Sequence, residues 1–169
     1  MADSKIIQVV GYKNSGKTTF IEAWVRELAG RGLRAAVIKH HGHGGPLAMP
    51  QADADSMRVL AAGAVGSLAC DDAGMIQLHM QSGRPGLPEL LDIAKLAAPD
   101  VIIIEGYKAA GYPKIVLVRE LEDWRELSKL PHIIGVIAHD GVVPEGVSSL
   151  PSSDMRGAFE LLHTWMGGD

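Results

Sequence analysis

Gly11-Tyr12-Lys13-Asn14-Ser15-Gly16-Lys17-Thr18 follows directly on the apolar run Lys5 to Val10 and spells GxxxxGK[ST]. This pattern constrains the fold, because such a loop works only between a strand that ends beneath it and a helix that starts at its last residues. Its glycines let the backbone curl so that successive N–H groups face phosphate oxygens, Lys17 reaches the terminal phosphates, and the Thr18 hydroxyl is suited to ligate magnesium. Thr18-Thr19-Phe20-Ile21 opens the expected helix, whose N-terminal dipole favours anions. Gly11, Tyr12, Lys13, Asn14, Ser15, Gly16, Lys17, Thr18 and Thr19 are therefore the candidate nucleotide-phosphate residues.

The rest of the chain reads as an extension of that unit. Ile21, Trp24, Val25 and Leu28 recur at helical spacing, Gly30 and Gly32 end the helix, and Arg34 to Lys39 follow as a short apolar strand, completing a βαβ unit. His40 to Gln51 form a long loop rich in Gly and Pro, and residues 53–60 are predicted helical with acids at their start. Val65 to Cys70 and Met75 to Met80, joined by Asp71-Asp72-Ala73-Gly74, predict a β-hairpin. Period-two spacing places Leu68, Cys70, Ile76, Leu78 and Met80 on its apolar face and Ser67, Gln77 and His79 on the other. That face needs a cover, from the protein's own helices or from a second subunit.

Leu87, Leu90, Leu91 and Ala94 predict a helix, and Val101-Ile102-Ile103-Ile104-Glu105 a central buried strand. Residues 114–119 and 133–138 are further strands with a helix over 123–130 between them, and Met155, Phe159, Leu162 and Trp165 mark a last amphipathic helix. The sum is a single α/β domain over residues 1–169, three layers with a mostly parallel sheet and the hairpin inserted at about 65–80. Ligands of such sheets lie at the carboxyl ends of the strands.

Composition narrows the setting. The chain has 169 residues, 47% of them hydrophobic, enough for one well-formed core. A net charge of −4 supplies no basic field for nucleic acid, and no apolar stretch approaches the ~18 residues of a membrane span. A single cysteine, Cys70, makes no internal disulfide, and Met1-Ala2-Asp3-Ser4-Lys5 lacks the basic segment and long apolar run expected of a signal peptide. A cytoplasmic protein is expected.

Glu105 closes its apolar strand just before Gly106, so its carboxylate is expected at the sheet edge that carries the phosphate loop. There it is the candidate acid partner of Thr18 for Mg2+, holding the ion through water or orienting an attacking water; the plain alternative is a solvated acid closing a strand. Lys17 and Glu105 are the candidate catalytic pair. Lys39, His40, His41 and His43 enter the long loop. Three readings stand for them: a phosphate-facing role led by Lys39, a zinc or nickel site, and ordinary loop histidines. Asp53 and Asp55 either reach the magnesium shell or simply favour a helix start. Asp140, just past a strand end, is a candidate base contact or a turn acid in Asp140-Gly141.

Taken in order, GYKNSGKTT at 11–19, VIKHHGHGG at 37–45, Asp55-Ser56 with Ala61-Ala62-Gly63-Ala64, VIIIEGYK at 101–108 and PKIVLVR at 113–119 make a selective set. The chain resembles, over most of its length, the molybdopterin-guanine dinucleotide biosynthesis protein B (MobB) family. That resemblance implies a homodimeric, cytosolic GTP-binding protein that assists a nucleotidyltransferase, MobA, in attaching GMP to molybdopterin. It also implies phosphate binding by Gly11 to Thr19, magnesium service by Thr18 and Glu105, and a dimer contribution from the hairpin. The chain lacks the NKxD stretch of many GTPases, which leaves the guanine contact unassigned. No arginine finger is evident, so slow GTP hydrolysis is expected. The rivals are a small-molecule kinase or ligase, although Arg84 stands alone where a lid would carry several arginines; a metal-insertion GTPase using the histidines; and a non-hydrolysing scaffold.

Overall fold

A computed structural model describes residues 4–40, 47, 54–80, 83 and 85–167. The chain divides into two compact units, residues 1–42 with 90–169, and residues 43–89.

The larger unit is built on strands β1 (Lys5–Val10), β2 (Ala35–Lys39), β5 (Val101–Glu105), β6 (Lys114–Val118), β7 (Ile133–Ala138) and β8 (Leu150–Pro151). They form one sheet in the order β2-β5-β1-β6-β7-β8, and every pairing is parallel. The expected three-layer α/β architecture is thus present. β5 and β6 are buried along their whole length, as unbroken apolar runs in a sheet covered on both faces must be. Alternation then sorts their side chains. Val101, Ile103, Ile115 and Leu117 join Ile7 and Val9 on one face, against Trp24 and Leu28 of helix α1 (Lys17–Gly30) and Ala158 and Leu162 of helix α5 (Met155–Trp165). Val10, Val116, Val118 and Val136 face the other way, against Leu127 and Trp124 of helix α4 (Leu121–Leu127). Each fully buried branched side chain of this kind contributes about 1.5–3 kcal/mol.

Two local predictions shift. α4 starts at Leu121 rather than Asp123 because Asp123 acts from the first turn: its Oδ2 accepts from the Glu120 N–H at 3.2 Å, a cap supplied by an acid within the helix. β8 was not expected at all. Its two residues pair as Ile137↔Leu150 and Ala138↔Pro151, too short for any periodicity to show.

The smaller unit contains helix α2 (Asp55–Ala61), packed on strand β3 (Gly66–Cys70), which pairs antiparallel with β4 (Ile76–Met80). The hairpin is the one expected, and Leu68↔Leu78 and Cys70↔Ile76 stand opposite on the predicted apolar face. The exposure is not what an apolar face ordinarily shows: Leu68 is 72% exposed, Ile76 65% and Met80 53%, whereas Ser67 is buried. Helix α3 (Leu87–Lys95) leads from this unit into the larger one.

Candidate functional site

The site is assembled at the carboxyl ends of β1, β5 and β2. Gly11 closes β1 where no other residue fits, since a Cβ there would lie 2.7 Å from the Leu117 carbonyl oxygen. Asn14 (φ 60°) and Gly16 (φ 86°) both take left-handed backbone, so the loop doubles back and delivers Lys17 into the first turn of α1. Thr18 and Thr19 follow there, where the helix N–H groups lack intrahelical partners. The Lys17 ammonium donates to the Tyr12 carbonyl at 2.6 Å, lying across the loop it belongs to.

β5 pairs with both β1 and β2, Val9↔Glu105 and Lys39↔Glu105, so register alone brings Glu105 and Lys39 together beside the loop. The Thr18 hydroxyl lies 3.3 and 3.4 Å from the two Glu105 carboxylate oxygens. The Lys39 ammonium donates to Thr18 Oγ1 at 3.1 Å and pairs with Glu105 Oε2 at 3.3 Å. Glu105 is only 8% exposed and its carboxylate is held by these two partners. The alternative of a solvated acid does not describe it. Burial pulls the Lys17 ammonium below the ordinary lysine value; Glu105 opposes this, and the like charges of Lys108 and Lys39 add to it.

A hydroxyl and a carboxylate this close fit Mg2+. At the usual Mg–O length of 2.0–2.1 Å, two oxygens on adjacent octahedral positions stand about 3 Å apart, and the observed separation is 3.3 Å. The structure already places one cation, the Lys39 ammonium, on that oxygen pair.

Three contributors escaped sequence reasoning. Gln8, inside β1 and fully buried, donates its amide to the Gly106 and Tyr107 carbonyls at 3.0 and 2.7 Å and fixes the turn after Glu105. That turn carries Tyr107 at φ 50°, a left-handed conformation unusual for an aromatic residue. Lys114, also fully buried, donates to the carbonyls of Ala110, Tyr112 and Pro131 at 2.9, 2.9 and 2.8 Å, and burial lowers its pKa. Between these two anchors, Lys108 sets its ammonium 3.6 Å over the Tyr12 ring, a cation–π contact that brings a further positive charge to the phosphate loop. A polar residue inside an apolar strand was the available signal at Gln8 and Lys114, and it does not name their partners, which for Gln8 lie 98 and 99 residues away.

The remaining candidates are placed as follows. Lys13 is exposed on the loop. His40 follows β2, donates its backbone N–H to the Glu105 carbonyl at 3.1 Å and lies 4.7 Å from the Tyr107 ring. His41, His43, Asp53 and Arg84 lie outside the described residues, among which no cluster of three His, Cys, Asp or Glu is arranged to hold a metal. Asp55 lies in the smaller unit and pairs with Arg58 of its own helix at 3.3 Å. Asp140 Oδ1 accepts from the Ser153 N–H at 3.0 Å and the Ser152 hydroxyl at 3.1 Å. These bonds, that from the Ser153 backbone foremost, hold its carboxyl below the ordinary value. Ser152 in turn lines a cavity of about 210 Å³, beside Asn14, Gly16, Leu117, Arg119 and His139.

These features define an α/β protein whose six-stranded parallel sheet carries a GxxxxGK[ST] loop, with an acid and a lysine from neighbouring strands at the same edge. Residues 6–139 match the family model described as molybdopterin guanine dinucleotide synthesis protein B, and the chain belongs to that family, MobB. It is 39% identical over 132 residues to the probable molybdopterin-guanine dinucleotide biosynthesis adapter protein of Bacillus subtilis, covering 78% of this chain and 75% of that one. The crystal structure of Bacillus subtilis MobB superposes with a TM-score of 0.79 at 33% identity, covering 98% of this chain and 99% of that one. The MobB homolog from Bacillus stearothermophilus gives 0.76 at 31% identity, over 96% and 97%. No helix among the described residues is long and apolar enough to cross a membrane.

Proposed function

We propose that this protein is a GTP-binding adapter in molybdopterin-guanine dinucleotide synthesis, with weak GTPase activity, serving a MobA-like guanylyltransferase that attaches GMP to molybdopterin. The observation that carries the reading is the convergence of Lys17, Thr18, Glu105 and Lys39 at one sheet edge, beside a loop shaped to present N–H groups to phosphates. Loop amides and Lys17 hold the β- and γ-phosphates. Thr18 and Glu105 hold Mg2+, which when bound neutralises developing phosphate charge. Glu105 is the residue best placed to orient water toward the γ-phosphate, yet its carboxylate is engaged by Thr18 and Lys39. The reading commits Glu105 to Mg2+, and the sequence shows no arginine finger, which supports a slow intrinsic rate.

The nucleoside is assigned to the cavity beside the loop. Leu117 supplies apolar surface, Arg119, His139 and Ser152 supply polar groups, and Asp140 acts on the base side by positioning Ser152. The exposed apolar side chains of the hairpin support its use as a homodimer surface, since a two-stranded hairpin is marginal in water without a cover. Cytoplasmic placement follows from the pathway proposed.

Titration of GTP, ATP and their diphosphates with Mg2+ tests this reading. GTP is expected to bind more tightly than ATP, and Lys17→Ala to weaken GTP binding by about 2–4 kcal/mol without loss of fold. Equal affinity for GTP and ATP would sink the guanine assignment, and an unaffected Lys17→Ala the phosphate-loop assignment.

A further inference from the structure

We propose that Lys39 is a resident counter-ion at the magnesium site, displaced by Mg2+ and then available to the terminal phosphate of the nucleotide. The proposal rests on the nucleotide-binding reading above. Its basis is that one ammonium bridges the two oxygen groups that suit the metal: Nζ is 3.1 Å from Thr18 Oγ1 and 3.3 Å from Glu105 Oε2. Glu105 is buried, and a buried carboxylate is costly without a countercharge. Lys39 meets that need. Two cations on one pair of oxygens repel each other, so a divalent ion engaging them drives the ammonium away.

The displaced side chain has room to move. Lys39 is the last residue of β2 and its side chain is 54% exposed, while the Glu105 side chain that anchors it is 10% exposed. The anchor is buried and the lysine is half exposed. Register keeps the Lys39 backbone opposite Glu105, so the ammonium can swing only within reach of the phosphate loop. Lys17 is already close enough to feel its charge. A triphosphate arriving with Mg2+ offers it new acceptor oxygens. Metal binding frees the lysine and phosphate binding captures it, so each favours the other, and the coupling is reciprocal.

Replacing Lys39 should therefore move two affinities in opposite directions. In Lys39→Met, binding of Mg2+ alone, followed by calorimetry or with Mn2+ as a spectroscopic probe, is expected to tighten about tenfold because its competitor is gone. Binding of GTP with saturating Mg2+ is expected to weaken about tenfold because the captured cation is gone. Lys39→Arg keeps a cation on the oxygen pair and should leave Mg2+ affinity at or below the wild-type value. In the wild-type chain, Mg2+ alone should shift the ammonium resonance of Lys39 and leave that of Lys95, paired with Asp92 on α3, unmoved.

Unchanged or weaker Mg2+ binding in Lys39→Met overturns the exchange, as does a Lys39 resonance that stays fixed as the metal saturates. GTP binding by the wild-type chain is scored separately. If GTP fails to bind, the nucleotide reading falls while the metal titration still judges the exchange. If GTP binds and no exchange is seen, only the exchange falls.

Discussion

The parallel sheet and the hairpin treat apolar residues in opposite ways. In β5, Val101 to Ile104 are wholly buried and the one acid that follows them is aimed at the site. In the hairpin, Leu68, Ile76 and Met80 stand exposed on one face while Ser67 on the other is buried. The sheet is complete within one chain, with two helix layers closing its core. The hairpin leaves several apolar side chains exposed. A shared composition thus serves two ends: burial holds the site rigid, and exposure holds a surface in reserve.

Core and hairpin substitutions separate the two roles. Leu162→Ala removes a fully buried side chain from the core cluster that holds Ile7 and Ile115, and should cost about 2–5 kcal/mol in denaturant unfolding. Next is Lys114→Met, which leaves the Ala110, Tyr112 and Pro131 carbonyls without their donor; a loss of about 2–4 kcal/mol is expected, together with faster proteolysis within residues 107–113. The paired change Leu68→Glu with Ile76→Glu tests the proposed dimer surface: it should lower the mass seen by light scattering to that of a monomer while altering the sheet's unfolding by no more than about 0.5 kcal/mol. Should it unfold the protein as Leu162→Ala does, the contrast between the two regions is wrong.

The smallest effect concerns Asp140, whose folded-state pKa lies below its ordinary value. The fold therefore favours the anion, and the resulting stability is fully present above the ordinary carboxylate range and is lost as pH falls through the folded value. Asp140→Ala should lower the melting temperature slightly at neutral pH, and the difference from wild type should vanish on acidification. A difference that persists at low pH would mean that the carboxylate charge is not what braces Ser152 and Ser153.

What the sequence disclosed depended on how locally each feature is encoded. The phosphate loop, α1, β5 and the hairpin are each written in one short continuous stretch, through spacing, glycine placement and period-two alternation. Glu105 was legible for the same reason: an acid ending an apolar strand has one sheet edge at which to emerge. Its engagement with Lys39 was not, because it follows from β2 and β5 becoming neighbours in register. Gln8 donates to carbonyls 98 and 99 residues along the chain, beyond any local window, whereas Lys114 donates to carbonyls at 110, 112 and 131, whose approach depends on how the flanking loops fold. The cavity is assembled from four separate segments and has no local signature. Asp140 was legible as a turn acid past β7, but its serine partners come from the unpredicted β8 turn.

That last strand has one more consequence. Open sheets risk adding strands from other molecules at their edges, and β8 is an edge. It is two residues long and ends in Pro151, which has no N–H to offer an incoming chain, and the next N–H, that of Ser152, is already spent on the Ala138 carbonyl at 2.7 Å. This side of the protein is thereby shut to strand-by-strand growth, which protects a concentrated solution of it from aggregating along that border.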